Sequence, residues 1–217
     1  MLVGPMRSHI VSHLISLVFR VLLLAAGIYL VVSGRNMQVF LLLIWVKLVT
    51  GMLFRLIPNK RIPFGARKHF DYTFGITPAK KQIHKGVYSI AIAWIIFNSA
   101  LFYGMHLLDI LAFEYAVIVV LLYSVFDVAF ILFFCPFQKI FMGNRCCAEC
   151  RIYNWDYIMM CTPLLLFPSV YSLSLIAVAL AVLLRWEFAM RKKKDLSVSC
   201  ASCEDRLCAI KRRFSPP

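Results

Sequence analysis

Long apolar stretches alternate with short polar connections along almost the whole chain, and their lengths say what they are. A helix rises ~1.5 Å per residue, so crossing the ~30 Å hydrocarbon core of a bilayer takes ~20 mostly apolar residues. Residues 11–33, 37–57, 87–106 and 110–134 each meet that length. Lipid offers the backbone no hydrogen-bond partner, so each stretch is predicted to be a helix. The expected fold is all-α, a polytopic transmembrane helical bundle.

The last apolar region, residues 157–190, is too long for one ordinary span, and Pro163 and Pro168 interrupt it. Proline removes a backbone donor and clashes with the preceding turn. A hairpin is therefore predicted: residues 157–167 cross, the chain turns at Pro168-Ser169, and residues 170–186 return. The first arm is short, which suits a re-entrant or tilted segment. This reading gives six membrane segments within a transmembrane domain of residues 1–190, followed by a basic Cys-containing tail, residues 191–217. A single final span, making five crossings, is the competing topology.

Basic residues supply a direction. The loop 58–86 carries Lys60, Arg61, Arg67, Lys68, Lys80, Lys81 and Lys85, which places it in the cytoplasm by the excess of Lys and Arg on that side of a membrane. The connection between the third and fourth spans holds Asp109 and neither Lys nor Arg, so it belongs outside. The N-terminus is then cytoplasmic, as is the loop 135–155 with Lys139, Arg145 and Arg151. The hairpin returns the tail, with Arg191 to Lys194 and Lys211 to Arg213, to that same side, so both termini are expected in the cytoplasm.

Composition agrees with this picture and adds expected partners. The chain of 217 residues is 62% hydrophobic and only 16% charged, with a mean hydropathy of +0.80; soluble domains sit nearer half apolar and a quarter charged. The net charge of +14 lies almost wholly between and after the apolar blocks. That pattern fits the bilayer and its anionic headgroups rather than nucleic acid. Phe64, Phe70, Tyr72 and Phe74 mix with the basic residues of the loop 58–86, a surface suited to headgroups or to a soluble cytoplasmic partner. Arg20 interrupts the first apolar run, which continues without a clear small-residue cleavage site, so that run reads as a span and not as a cleaved signal.

Of the eight cysteines, six form two compact groups. The loop contains Cys146, Cys147 and Cys150, and the tail contains Cys200, Cys203 and Cys208. Each group holds a C-x2-C pair, a spacing that lets two thiolates converge on one metal ion, and two such pairs complete a tetrahedral site. The tail run C-x2-C-x4-C also suits an iron–sulfur cluster. Soft thiolates select zinc or iron–sulfur over hard cations, and the spacing leaves these two open. With the terminal hairpin, both groups emerge on the cytoplasmic face, where thiols stay reduced and metal binding is favoured over disulfides. Cys147 is preferred over its neighbour Cys146, because it completes the C-x2-C pair. Thiol exchange and juxtamembrane lipidation are the other roles open to these cysteines. Cys135 and Cys161 are expected to pack as small apolar residues.

Three charges fall inside the apolar runs, where an unpaired charge is costly. Arg20, Lys47 and Asp127 lie at similar depths, ~10–15 Å from the cytoplasmic ends of their spans. An Arg20–Asp127 pair is expected, with Lys47 joining it or finding another anion; snorkelling, or a proton, ion or anion site, are the alternatives. Trp94 and Asn98, four residues apart, are expected to face the bundle interior, with Asn98 as interhelical glue. No phosphate-binding loop, dinucleotide fingerprint, nucleophile elbow or zinc-protease helix is present, which argues against ordinary hydrolase and nucleotide-driven chemistry. Two functions follow as expectations. One is a membrane redox or electron-transfer component built on a cytoplasmic Cys-ligated metal centre. The other is a non-redox, transporter-like or scaffold protein whose loop and tail are stapled by structural zinc.

Overall fold

The computed structural model describes residues 5–57, 86–141 and 150–192. Among these residues the fold is all-helical. Five long helices carry it: α1 (Pro5–Val32), α2 (Gln38–Leu56), α3 (Val87–Leu107), α4 (Phe113–Leu132) and α6 (Val170–Lys192). Each contains a stretch long and apolar enough to cross a membrane. Between α4 and α6 lie a short π-helical turn (Phe137–Phe141), a 3-10 turn (Arg151–Asn154), the five-residue helix α5 (Asp156–Met160) and a second 3-10 turn (Thr162–Leu166).

Turn chemistry ends the long helices where the sequence requires it. After α1, Gly34 takes a left-handed φ of 62°. Its N–H donates to Val31 O and that of Arg35 donates to Leu30 O, a paired C-terminal cap that glycine adopts without steric cost. Asn36 Oδ1 then accepts from Gln38 N at 2.9 Å and opens α2. The same cap closes α3 with an aspartate: Asp109 has φ 54°, its N–H donates to His106 O, and Ile110 N donates to Met105 O.

Helix directions can be read from paired contacts. Trp45 of α2 donates its indole N–H to Ser174 Oγ of α6 at 2.8 Å, and Trp186 of α6 donates to Arg55 O of α2 at 3.0 Å. Both residue numbers rise together, so α2 and α6 run parallel. Arg20 of α1 meets Asp127 of α4, whereas Gly27 lies against Ile118 and Leu121 of α4, so α1 and α4 run antiparallel.

The irregular segment 151–167 joins opposite ends of the bundle. At one end Arg151 pairs with Glu187, and the Trp155 ring meets Tyr88 at the start of α3, with centroids 5.8 Å apart. At the other end the Phe167 ring lies 5.4 Å from His106 and 5.9 Å from Phe113. The segment therefore traverses the bundle, and α6 returns to the end from which it set out. The expected arm 157–167 is not one helix but α5 and a 3-10 turn, because Pro163 cannot continue the α-helical ladder. The expected returning arm 170–186 is longer in the structure and reaches Lys192.

The core runs between α2, α4, α6 and the irregular segment. Ile44, Met52, Val117, Val120, Leu164, Leu175 and Val182 are buried within it. The outward faces carry large apolar side chains: Ile15, Leu22, Val39, Ile96 and Phe97 are each more than 60% exposed. A water-soluble surface does not present such continuous apolar area, whereas a lipid-facing one does.

Gly27 permits the close approach of α1. A Cβ there would lie 2.8 Å from Ile118 Cδ1 and 3.0 Å from Phe40 Cε1. These are flexible side-chain ends, so Gly27→Ala is expected to be tolerated. Gly27→Leu is expected to cost ~1–3 kcal/mol by overpacking, read as a lowered unfolding midpoint in detergent micelles; an unchanged midpoint would refute the packing assignment.

Candidate functional site

Two partly buried ion pairs tie elements of the bundle together. In the first, Arg20 Nη1 lies 3.1 Å from Asp127 Oδ2 and also donates to the Ser124 carbonyl. The second joins the last turn of α2 to the first residue of α5, with Arg55 Nη1 donating to Asp156 Oδ2 at 2.7 Å and Oδ1 at 3.0 Å. The Arg55 guanidinium also sits over the Tyr157 ring, 4.4 Å from its centroid, and Asp156 Oδ1 accepts from Tyr157 N at 2.7 Å. Asp156 lies outside the five long helices.

A third cluster closes the same end of the bundle. Glu187 of α6 accepts from Arg151, from the Tyr88 hydroxyl at 2.7 Å and from Asn154 Nδ2 at 3.4 Å. Glu187 thereby ties α6 to α3 and to the start of the irregular segment.

Lys47 does not join the Arg20–Asp127 pair. Its ammonium stands over the Phe19 ring, 3.7 Å from the centroid, an attraction to the negative face of the aromatic. Lys47 thus meets a ring of α1 and not a carboxylate, and depth along a helix does not determine which neighbour a side chain meets. Asn98 is buried; it donates to Trp94 O at 2.9 Å and accepts from the Tyr123 hydroxyl of α4, so it joins α3 to α4.

Beside the irregular segment lies a cavity of about 230 Å³. Its aromatic wall is Trp94, Tyr123, Phe126, Phe130, Phe137 and Tyr153, and Asp127 and Asp156 also line it. The rings are contiguous: Trp94 meets Tyr123 at 5.4 Å and Phe137 at 5.3 Å, and Phe130 meets Phe137 at 6.3 Å and stacks on Phe126 at 5.7 Å. No sequence motif marks this wall, because its members come from three separate parts of the chain. Arg55–Asp156 and Arg151–Glu187 were equally hidden in the sequence, where each charge sits unremarkably near the end of an apolar run.

Of the candidate metal ligands, Cys150 lies within the described residues. It is fully buried among Val87, Ala91, Ile131, Cys135, Ile152 and Tyr153. Cys146, Cys147, Cys200, Cys203 and Cys208 lie outside the described residues, as do most of the basic tail and the loop 58–85. Among the described residues no group of three or more His, Cys, Asp or Glu side chains converges as a metal site. Cys135 and Cys161 are both buried and pack in apolar clusters.

This fold and its apolar helices define a multi-pass helical membrane protein. No family model matches the chain, and no curated protein or solved structure is significantly similar to it.

The Arg55–Asp156 pair makes an asymmetric prediction. Removing Asp156 strands a guanidinium that cannot lose its proton, whereas removing Arg55 leaves a carboxyl that can neutralise itself by taking one up. Asp156→Leu is therefore expected to cost ~3–5 kcal/mol and Arg55→Met about 2 kcal/mol. The double variant should recover most of the larger loss, since it leaves neither charge of this pair without its partner. Reversible unfolding in mixed micelles, followed by circular dichroism, measures all three; equal losses in the two single variants would refute the asymmetry.

Proposed function

We propose that the protein is a transporter-like membrane protein with six membrane segments, both termini in the cytoplasm, and a zinc ion stapling its cytoplasmic loop to its tail. The observation that carries this reading is the course of the segment 151–167 with the parallel alignment of α2 and α6. A compact irregular crossing followed by α6 makes the number of passages even, so the tail shares a side with the loop 135–155.

That course also removes the main obstacle to a joint cysteine site. Cys150 precedes Arg151, and Arg151 and Asn154 both contact Glu187 near the end of α6. The last turns of α6 therefore lie beside the residues that follow Cys150, and in the proposed site Cys147, Cys150, Cys200 and Cys203 supply the two C-x2-C pairs, with Cys146 and Cys208 as further thiols in the same groups. The burial of Cys150 suits a closed structural site better than an open, reactive one. Bound zinc would contribute its binding free energy to folding of the cytoplasmic face.

The transporter-like assignment draws on the irregular segment at the bundle centre. Membrane proteins tolerate broken helices where protein surrounds them or a cavity adjoins them, and such breaks are a recurrent feature of substrate sites. The ion pairs at Arg20–Asp127 and Arg55–Asp156 hold helices together around that segment.

Protein purified anaerobically from membranes is expected to be colourless and to carry about one zinc per chain, with the zinc lost in Cys147→Ser and in Cys203→Ser. Brown protein with acid-labile sulfide would overturn the zinc assignment and favour the electron-transfer reading built on the tail's C-x2-C-x4-C run. A reporter fused after Pro217 is expected to read cytoplasmic; an extracellular or periplasmic signal would overturn the even number of crossings.

A further inference from the structure

The cavity beside the irregular segment is lined mostly by apolar and aromatic side chains, with the carboxylates of Asp127 and Asp156 and the polar ends of Trp94, Tyr123 and Tyr153 as its polar groups. Its two potential donors with assigned bonds are already committed: the Trp94 indole N–H donates to Met159 O at 3.3 Å, and the Tyr123 hydroxyl donates to Asn98 Oδ1. The carboxylates are not equally occupied. Both oxygens of Asp156 accept hydrogen bonds from Arg55. Asp127 is held by Arg20 through Oδ2 alone, and its Oδ1 accepts no hydrogen bond among the described residues. The wall thus includes a carboxylate, ion-paired through one oxygen and with acceptor capacity left on the other, beside six aromatic rings.

A neutral apolar guest would leave that carboxylate oxygen desolvated, and an anion would be repelled by it. An organic cation satisfies both parts of the wall. Its charge meets Asp127 Oδ1, and its alkyl or aryl body and the onium methyls lie against aromatic rings whose faces attract cations. The cavity volume of about 230 Å³ is below the ~300–1,000 Å³ of drug-sized sites, which limits the guest to about one ring with a small ammonium group. Phe126 is 42% exposed and lies at the edge of this aromatic wall, on the lipid-facing side of α4, a route by which a lipid-soluble cation can enter from the bilayer.

We infer that this cavity is a binding site for small lipophilic organic cations, amines or quaternary ammonium compounds, with Asp127 as the charge partner and Phe126, Phe130 and Phe137 as the aromatic cradle. The inference deepens the transporter-like reading by naming a substrate class, and rests on it for what binding accomplishes.

The test uses benzyltrimethylammonium and its uncharged carbon isostere neopentylbenzene, which have the same shape and differ in charge. Equilibrium dialysis is run against the full-length protein in lipid nanodiscs, with empty nanodiscs as the blank. The cation is expected to bind saturably and at least about tenfold more tightly than the isostere. Asp127→Asn is expected to abolish that preference. Phe130→Leu is expected to weaken cation binding by about threefold to tenfold, the equivalent of one cation–π contact, while leaving the isostere unaffected. Asp127→Asn removes the partner of Arg20 and could unfold the bundle; in that case the isostere comparison and Phe130→Leu decide the matter. The inference is overturned by the absence of saturable binding above the blank, by equal affinity for the two isosteres, or by unaltered cation binding in Phe130→Leu. Zinc content and tail orientation are independent readouts. Cation binding by zinc-free protein would therefore retain this site and remove the staple, and stapled protein that ignores the cation would do the reverse.

Discussion

A polypeptide enclosed in an apolar bundle needs partners for its backbone N–H and C=O groups, and the segment 151–167 joins opposite ends of the bundle without being a continuous helix. The cost of an unpaired peptide group in hydrocarbon is several kcal/mol, so the surroundings must supply what the broken ladder omits. Met159 O, at the end of α5, accepts from the Thr162 hydroxyl at 2.7 Å and from the Trp94 indole at 3.3 Å. Cys161 N donates to Tyr157 O, Leu164 N to Cys161 O and Phe167 N to Leu164 O, which carries the chain around Pro163 in tighter turns. A 3-10 turn rises ~2 Å per residue against ~1.5 Å for an α-helix, so the irregular segment covers more distance per residue. That extra reach lets so short a stretch join opposite ends of the bundle.

The rest of the architecture follows from protecting this segment. Tyr157, Met160, Cys161 and Leu164 are buried against α2, α4 and α6, and Trp94 of α3 completes the enclosure. Because the segment runs from one end of the bundle to the other, α6 runs parallel to α2, and the two tryptophan bonds Trp45–Ser174 and Trp186–Arg55 fix that alignment at two heights. The ion pairs have a comparable role. Arg20–Asp127 ties the otherwise peripheral α1 to α4, and Arg55–Asp156 anchors the entry to α5 against α2. A buried charge is retained only beside its counterion, so each pair selects one register between its elements. The uneven bonding of the two carboxylates is a by-product of that arrangement, and it leaves Asp127, which lines the aromatic cavity, with one oxygen that accepts no hydrogen bond among the described residues.

Much of this was written in local signals. Three of the long helices, α2, α3 and α4, begin and end within a few residues of their apolar runs, and α1 starts six residues earlier than its run, since helix formation in lipid depends on length and hydropathy and not on a partner. The proline pair at Pro163 and Pro168 announced an interruption in the last apolar block, because proline's missing N–H acts wherever it occurs. Asn98 declared itself as a lone amide in an apolar helix, which has to find hydrogen bonds inside the bundle. The reach of α6 to Lys192 was less legible, since charged residues such as Glu187 and Arg185 lower hydropathy without stopping a helix. Cys150 belongs to a motif visible in the sequence, yet its seat among Val87, Ala91 and Ile131 depends on α3 and α4 closing over it.

The sequence by itself determined a membrane-spanning, all-helical chain, its interruptions and the side chains too polar to face lipid, because those properties depend on single residues and their neighbours along one helix. It could not say which charges meet. Arg20 and Lys47 have similar depth and charge, yet only Arg20 reaches Asp127, while Lys47 rests on Phe19. Rotation about the helix axis decides that, and rotation is set by packing between helices. The cavity has the same origin: Trp94, Phe130, Phe137 and Tyr153 become one wall only after α3, α4 and the irregular segment are brought together.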